Sequence, residues 1–147
     1  MLEKLDIGCG KFKKEGFLGI DIEDFSDMYP EGEFQIVDIE KGLPFEDESF
    51  SFIRCSHVIE HMKKPGKLLD EILRVAKEGC EIVMVWPIED ELSPGHEFCP
   101  EINYMERMGM GSVTDIVYKS VHDRDSITLN GEPFTFKECV VRMMRRR

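Results

Sequence analysis

The residues with the clearest potential for chemistry lie near the start of the chain, where an apolar segment ends in glycines. Residues 5–7 read as a strand and run into Gly8-Cys9-Gly10. Glycines in such a turn let the backbone approach a ligand closely, and ligands of open α/β sheets bind at the carboxyl ends of strands. The dinucleotide fingerprint G-x-G-x-x-G fails at Lys13, and no G-K-[ST] phosphate loop occurs. The turn therefore disfavours NAD and ATP, and by itself it is equally compatible with an ordinary strand end.

Two aspartates follow the next two strand-like segments. Asp21 lies in Gly19-Ile20-Asp21-Ile22, where a carboxylate can accept both hydroxyl protons of a ribose. Asp38 lies in Val37-Asp38-Ile39 and could accept a hydrogen bond from an exocyclic amine such as that of adenine. Each aspartate alone could instead be a turn or capping residue. Three successive strand ends that each present a suitable polar group predict a nucleoside site.

Three histidines, His57, His61 and His96, are candidates for proton transfer because imidazole titrates near neutral pH. The segment from His57 to His61 also matches the inverted zinc-protease motif H-x-x-E-H. That motif follows a strand, and Lys63-Lys64-Pro65-Gly66 interrupts any helix almost at once, so peptidase activity is disfavoured. We take His61 and His57 as catalytic candidates and expect no metal ligands. The alternative is a hydrogen-bonded structural role for His61 and a surface position for His96.

The elements that must position these residues follow an α/β pattern. Nearly continuous apolar runs alternate with turn or helix signals, which is typical of parallel strands covered on both faces. The predicted strands are residues 5–7, 17–22, 34–39, 50–55, 81–86, 113–121 and 134–141. A helix is predicted over 65–77, with Gly79 placed to stop it, and a second helix near 100–108. Asn130-Gly131 predicts a hairpin between the last two strands.

Composition sets further limits. The chain has 147 residues, 30 acidic and 19 Lys or Arg, with a net charge of −11, so one domain over residues 1–147 is expected and general nucleic-acid binding is disfavoured. The basic tail, Arg142 and residues 145–147, is the part expected to meet an anionic substrate or partner. The five cysteines include no C-x-x-C pair, and no signal peptide or membrane span is evident. A reducing, cytoplasmic location is expected.

Taken together, these motifs resemble those of the class I S-adenosylmethionine-dependent methyltransferases, especially the small-molecule branch with a Leu-Pro-Phe loop, here Leu43-Pro44-Phe45. The resemblance is collinear over roughly residues 2–87. It implies a Rossmann-like doubly wound sheet of about seven strands, mostly parallel with an antiparallel C-terminal hairpin. It also implies methyl transfer from S-adenosylmethionine to O, N or C of a small-molecule acceptor.

The resemblance assigns roles to the candidate residues. The Asp6 to Gly10 loop would face the methionine part of the cofactor, Asp21 would hold the ribose, and Asp38 the adenine. Ser56 and His57 would lie beside the methionine moiety. The implied cofactor-binding residues are Asp6, Gly8, Cys9, Gly10, Asp21, Ile22, Asp38, Ile39, Ser56 and His57. The Glu60-His61 pair also resembles a Glu-His pair of quinone-type O-methyltransferases that is associated with a divalent ion, which leaves a metal as an alternative.

The chain departs from the family pattern around the site. Asp6 and Asp21 are closer in sequence than in typical relatives, so residues 11–16 are expected to form only a turn, and Phe12 replaces the third loop glycine. No residues precede the first strand, so the N-terminal helices that commonly cover the substrate are expected to be absent. A homodimer or a partner protein could cover the open site. The alternative function is a non-catalytic methyltransferase-like binding or regulatory subunit of a partner enzyme.

Overall fold

The computed structural model describes residues 2–88 and 95–146. Seven strands form one sheet in the order β3-β2-β1-β4-β5-β7-β6. The strands are β1 (Lys4–Ile7), β2 (Leu18–Asp21), β3 (Phe34–Ile36), β4 (Phe50–Ser56), β5 (Ala76–Ile88), β6 (Thr114–Ile127) and β7 (Pro133–Arg145). Strands β1 to β5 pair in parallel, whereas β7 runs antiparallel to both β5 and β6. The Rossmann-like, mostly parallel α/β sheet with an antiparallel C-terminal hairpin is confirmed.

Helices are short apart from one. Helix α1 (Pro65–Val75) joins β4 to β5, and α2 (Tyr104–Arg107) is a single turn within the region where a longer helix was predicted. The remaining helical segments are 3-10 turns at Ser26–Met28, Ile39–Lys41, Ile59–His61 and Met110–Ser112. In the part of the chain that the structure describes, no helix combines the length and hydropathy needed to cross a membrane.

The predicted amphipathic helix ends earlier than its sequence pattern suggests. Helix α1 ends at Val75, because Ala76 already pairs with Phe50 of β4 and the chain passes directly into β5. Gly79 has a φ of 76° and lies within β5, near a shift in the β4–β5 register. The expectation that Gly79 stops the helix is therefore wrong, since pairing with β4 takes the backbone out of the helix first.

The core lies on both faces of the central strands. Leu5, Asp6 and Ile7, which are consecutive in β1, are all buried, and consecutive side chains point to opposite faces of a strand. Helix α1 contributes its apolar stripe, Leu68, Leu69, Ile72 and Val75, to this core. Burial on both faces explains why β1 does not alternate between apolar and exposed polar residues.

The C-terminal hairpin is longer than its apolar pattern predicts. Strands β6 and β7 pair from Thr114 with Arg145 to Ile127 with Pro133. At the predicted turn, the Gly131 N–H donates to the Thr128 carbonyl at 2.9 Å. The pairing extends into polar sequence because the hydrogen bonds between the two strands join backbone groups. They do not require apolar side chains once the register of the strands is fixed.

The arginines expected to meet an anionic partner are engaged within the fold. Arg142 pairs with Glu81 on β5. Arg146 pairs with Asp115 on β6 at 2.7 Å, and Arg145 lies 3.8 Å from Glu48 and also donates to the Ala76 carbonyl. These side chains neutralise acids near the sheet, whereas Arg147 lies outside the described residues.

Candidate functional site

A cavity of about 280 Å³ opens at the carboxyl ends of β1 to β4. It is lined by Gly8, Asp21, Ile22, Val37, Asp38, Ile39, Glu40, His57, Val58, His61 and Met62. Most of the candidate residues therefore meet around one space, and both catalytic candidates, His57 and His61, form part of its wall. The other candidates, Asp6, Cys9, Gly10 and Ser56, belong to the same loops and strand ends without lining the cavity.

The glycine turn is held against β2 and against the residue after His57. The backbone N–H groups of Gly8 and Cys9 both donate to the Ile20 carbonyl, at 2.8 and 3.2 Å. Gly8 has a φ of 66°, and a Cβ at this position would lie 2.3 Å from Cγ2 of Val58. Only glycine fits both the left-handed backbone and the close approach to Val58.

Asp21 connects the loops that follow β1 and β2. Its Oδ2 accepts the Gly10 N–H at 3.0 Å, and its Oδ1 accepts the Glu23 N–H at 3.1 Å. The Tyr29 hydroxyl donates to the Gly10 carbonyl at 2.5 Å and so holds the other side of the same glycine. Each carboxylate oxygen has two lone pairs, so Asp21 keeps acceptor capacity towards the cavity while it fixes the loop.

Asp6 is fully buried and holds the segment after the glycine turn in place. Its carboxylate accepts from Arg54 Nη1 and from the Lys14 N–H, both at 3.1 Å. Burial raises the pKa of the Asp6 carboxyl, and the nearby Arg54 guanidinium opposes that rise. The bond to Lys14 restrains residues 11–16, which form turns and no helix, as the sequence predicted.

Cys9 is a buried part of the glycine turn, with 5% of its surface exposed. Burial, together with the Asp6 and Asp21 carboxylates, raises the pKa of its thiol to about 12. A thiol with so high a pKa is not a nucleophile at neutral pH, so Cys9 contributes backbone and packing to the turn.

Asp38 begins the short 3-10 helix Ile39–Lys41 as its N-cap. Its Oδ1 accepts the Glu40 N–H at 3.1 Å. The cap turns the chain after β3, so that Asp38 and Ile39 line the same cavity as Asp21. The capping role and a binding role are compatible, because a carboxylate has further lone pairs to offer.

His57 lies directly after β4 in a strained backbone conformation, with a φ of 56°. Its Nδ1 lies 3.4 Å from Glu60 Oε2, and its Nε2 contacts the carboxylate of Glu138. Burial disfavours the charged imidazolium, but the nearby carboxylates of Glu60 and Glu138 outweigh burial and raise the pKa of His57. Both ring nitrogens of His57 therefore face carboxylates.

Glu138 is the site residue that sequence reasoning missed. It lies on β7, is 3% exposed, and contacts His57, His122 and Arg124. Burial raises the pKa of the Glu138 carboxyl, but His57 and Arg124 lower that pKa by more than burial raises it. The pKa therefore lies below its ordinary value. The only signal in the sequence is a charged residue within the predicted apolar strand 134–141, which does not identify a partner.

His61 differs from His57 in having one ring nitrogen committed to a backbone carbonyl. Its Nδ1 lies 2.8 Å from the Gly95 carbonyl oxygen, which can only accept, so Nδ1 carries a proton and the neutral form of the ring has its lone pair on Nε2. The ring of the partly buried His96 contacts it edge-on at 4.7 Å. The structure thus brings together two histidines that are far apart in the sequence.

The metal alternatives can be compared with this geometry. His61 is the last residue of a 3-10 turn (Ile59–His61), and His57 lies before that turn. The zinc-protease motif instead requires both histidines on successive turns of one α-helix. Glu60, His61 and His96 each offer one ligand atom, and these atoms lie within 4.8 Å of one another. Among the described residues, this group could hold a divalent ion.

Comparison with known proteins agrees with the fold. A family model described as a methyltransferase domain matches residues 5–84, more than half of the chain. An uncharacterised protein of Methanocaldococcus jannaschii is 34% identical over 85 residues, which cover 55% of this chain and 42% of that protein. Ajmaline N-methyltransferase of Rauvolfia serpentina is 31% identical over 55 residues, 37% of this chain and 19% of that enzyme. The chain thus spans less than half the length of these curated relatives.

A solved S-adenosylmethionine-dependent methyltransferase from Methanosarcina mazei superposes with a TM-score of 0.70 at 18% identity, covering 97% of this chain and 92% of that structure. At this identity the likeness establishes the fold, whereas the family model establishes the family. The chain belongs to the methyltransferase-domain family and has the class I S-adenosylmethionine-dependent methyltransferase fold.

Proposed function

We propose that this chain binds S-adenosylmethionine and transfers its methyl group to an oxygen, nitrogen or carbon of a small molecule. The observation that carries the proposal is the cavity at the carboxyl ends of β1 to β4, which Gly8, Asp21 and Asp38 line together. The family match supports the reaction class. The relative named as an ajmaline N-methyltransferase supports a small-molecule acceptor.

The residues present fit the cofactor. Gly8 leaves a cradle next to Val58 that a side chain would fill, and the Asp21 carboxylate can accept ribose hydroxyls. Ile22, 65% exposed, lines the same cavity as Ile39 and Asp38, so an adenine ring would find apolar contacts together with an acceptor for its amine. Gly10, Cys9, Asp6 and Ser56 would shape the methionine end through the loops that they hold.

S-adenosylmethionine supplies a methyl group that its sulfonium already activates, so the protein's main contribution is alignment of the acceptor. An acceptor hydroxyl or amine must also lose a proton. His61 is the better placed candidate for this step, because it lines the cavity and its bond to Gly95 places the lone pair of the neutral ring on Nε2. Both ring nitrogens of His57 face the carboxylates of Glu60 and Glu138, so we propose that it shapes the cavity wall.

A cover for the site is also part of the proposal. Phe12, which follows the glycine turn, is 85% exposed, and Ile22 at the cavity is 65% exposed. Apolar side chains exposed beside a cavity favour contact with a ligand or another protein. We propose that a second copy or a partner protein covers this side of the site. Light scattering with and without cofactor measures directly whether two copies of the chain associate.

Calorimetric titration tests the proposed function. Wild-type protein should bind S-adenosylmethionine and S-adenosylhomocysteine at one site per chain. Asp21→Ala should abolish measurable binding, whereas Asp24→Ala, which removes an exposed carboxylate that accepts the Ser26 N–H, should bind as wild type does. Absence of heat with both compounds, or equal affinity of Asp21→Ala and wild type, would rule the assignment out.

Turnover separates the enzyme from the alternative of a non-catalytic subunit. Formation of S-adenosylhomocysteine from a metabolite mixture by the isolated chain supports catalysis. Cofactor binding without turnover, together with a stable complex with a partner protein, supports the regulatory role.

A further inference from the structure

The buried carboxylate of Glu138 is not used by the reaction proposed above, yet it contacts the cavity wall. Strand β7 carries it at a position 3% exposed, where an unpaired charge would be costly. His122 Nε2 lies 3.0 Å from its Oε1, and Arg124 Nη1 lies 3.1 Å from its Oε2. Its remaining contact is with Nε2 of His57. Glu138 is thus saturated with donors, and one of these donors belongs to the cavity wall.

The two supporting donors follow from the hairpin register. His122 lies directly opposite Glu138 in the β6–β7 ladder, so their side chains share one face of the sheet. Arg124 lies two positions further along the same strand and therefore on the same face. Register alone brings both side chains to the carboxylate, and β6 thereby fixes the orientation of Glu138 independently of His57.

His57 requires restraints from outside its own loop. Its φ of 56° is unfavourable for a residue with a side chain, and such conformations persist where the surroundings over-determine them. The Glu60 carboxylate restrains Nδ1 at 3.4 Å, and the Phe136 ring of β7 packs edge-on against the imidazole at 5.8 Å. Glu138 restrains the remaining nitrogen, so the ring has one orientation.

We propose that Glu138 is a positioning residue of the site: with Glu60 it fixes the imidazole of His57 in the cavity wall, and the C-terminal hairpin thereby completes the site. The positioning of His57 is independent of any ligand. Its effect on cofactor affinity rests on the function proposed above, because His57 is expected beside the methionine end of the cofactor.

The first test reads the ring nitrogens of His57 by two-bond ¹H–¹⁵N correlation at pH 7.5, with His57→Ala used for assignment. In wild type, Nε2 should carry a proton, because the Glu138 carboxylate that it contacts can only accept a hydrogen bond. In Glu138→Gln, which keeps the side-chain shape and replaces the charged acceptor with a neutral amide, the chemical shifts of the Nε2–H group should change. Glu132→Gln makes the same chemical change at an exposed position of the same hairpin and should leave His57 unaltered.

The second test is the dissociation constant for S-adenosylhomocysteine, which should rise about tenfold in Glu138→Gln, as expected for losing a charge-assisted hydrogen bond, and stay unchanged in Glu132→Gln. A wild-type spectrum with a lone pair on Nε2, or His57 resonances that are identical in wild type and Glu138→Gln, would overturn the proposal. If Glu138→Gln fails to fold, the wild-type spectrum still tests whether Nε2 of His57 donates to Glu138. If wild type binds no S-adenosylhomocysteine, the proposed function fails, whereas the ring-nitrogen spectra still test the positioning.

Discussion

The carboxylate of Asp21 accepts the backbone N–H of Gly10 at 3.0 Å. This bond joins the loop after β1 to the end of β2, and both elements contribute to the candidate cofactor cavity. An acid that the sequence suggested for ribose binding is therefore also a structural part of the glycine turn. Loss of its side chain should affect the loop even when no ligand is present.

Asp21→Ala should therefore raise the hydrogen-exchange rate of the Gly10 amide in the ligand-free protein. A hydrogen bond to a charged acceptor contributes about 1.5–3 kcal/mol, so we expect an acceleration of about tenfold or more. Exchange measured by NMR at single-residue resolution checks this. Asp24→Ala is the control, and an unchanged Gly10 rate in Asp21→Ala would show that the bond does not hold the loop.

Gly8→Ala should destabilise the fold more than alanine does at another left-handed glycine. Gly32 has a φ of 84° with nothing within 4 Å of its Cβ position, whereas a Cβ on Gly8 would meet Val58 at 2.3 Å. Both variants incur backbone strain, but only Gly8→Ala adds overpacking, which costs about 1–3 kcal/mol more. Urea unfolding measures the difference. The double variant Gly8→Ala/Val58→Ala should recover part of the loss, and equal stability of the two single variants would contradict the clash.

Asp38 should determine preference for the adenine amine. S-inosylhomocysteine carries an oxygen in place of that amine, so an acceptor carboxylate at this position should make it bind more weakly than S-adenosylhomocysteine. Unpaired acceptors of this kind cost about 1–3 kcal/mol. In Asp38→Ala, calorimetry should show this preference reduced or lost. A preference as large in Asp38→Ala as in wild type would place adenine recognition elsewhere.

Glu71 should contribute stability that is lost in acid. It accepts two bonds from Arg74 and the Leu43 N–H, and these partners lower its pKa from 4.5 to about 2. A lowered carboxyl pKa stabilises the folded state above the ordinary value, and the contribution disappears as the pH falls towards the folded value. Wild type should exceed Glu71→Gln by about 1 kcal/mol in unfolding free energy at pH 7, because the pair is partly exposed.

Urea unfolding between pH 7 and pH 2 follows this difference. The gap between wild type and Glu71→Gln should be constant near neutral pH and should narrow below about pH 4.5. Glu46→Gln changes an exposed carboxylate in the loop that Glu71 contacts through Leu43. This control should show no pH-dependent difference from wild type in unfolding free energy. A gap that widens in acid would contradict the assignment of Glu71.

The residues near the cavity could be predicted where their role depends on local sequence. Gly8 needs a turn after an apolar run, and Asp21 and Asp38 follow the next two runs; parallel strands bring all three ends to one edge of the sheet. The contacts that decide the roles of the histidines could not be predicted in this way. The sequence does not reveal that His57 lies between two carboxylates or that His61 contacts Gly95 and His96, because these contacts join segments far apart in the chain.

The order of the strands along the chain, the amphipathic face of α1 and the residues at the ends of β1 to β3 could be predicted from local sequence. Apolar periodicity and turn chemistry are local, and they are encoded within a few residues. In contrast, the end of α1 at Val75, the pairing of Arg142 with Glu81, and the contact of Glu138 with His57 across 81 positions follow from tertiary contacts. Each of these depends on which strands are neighbours and on their register, which no local pattern specifies.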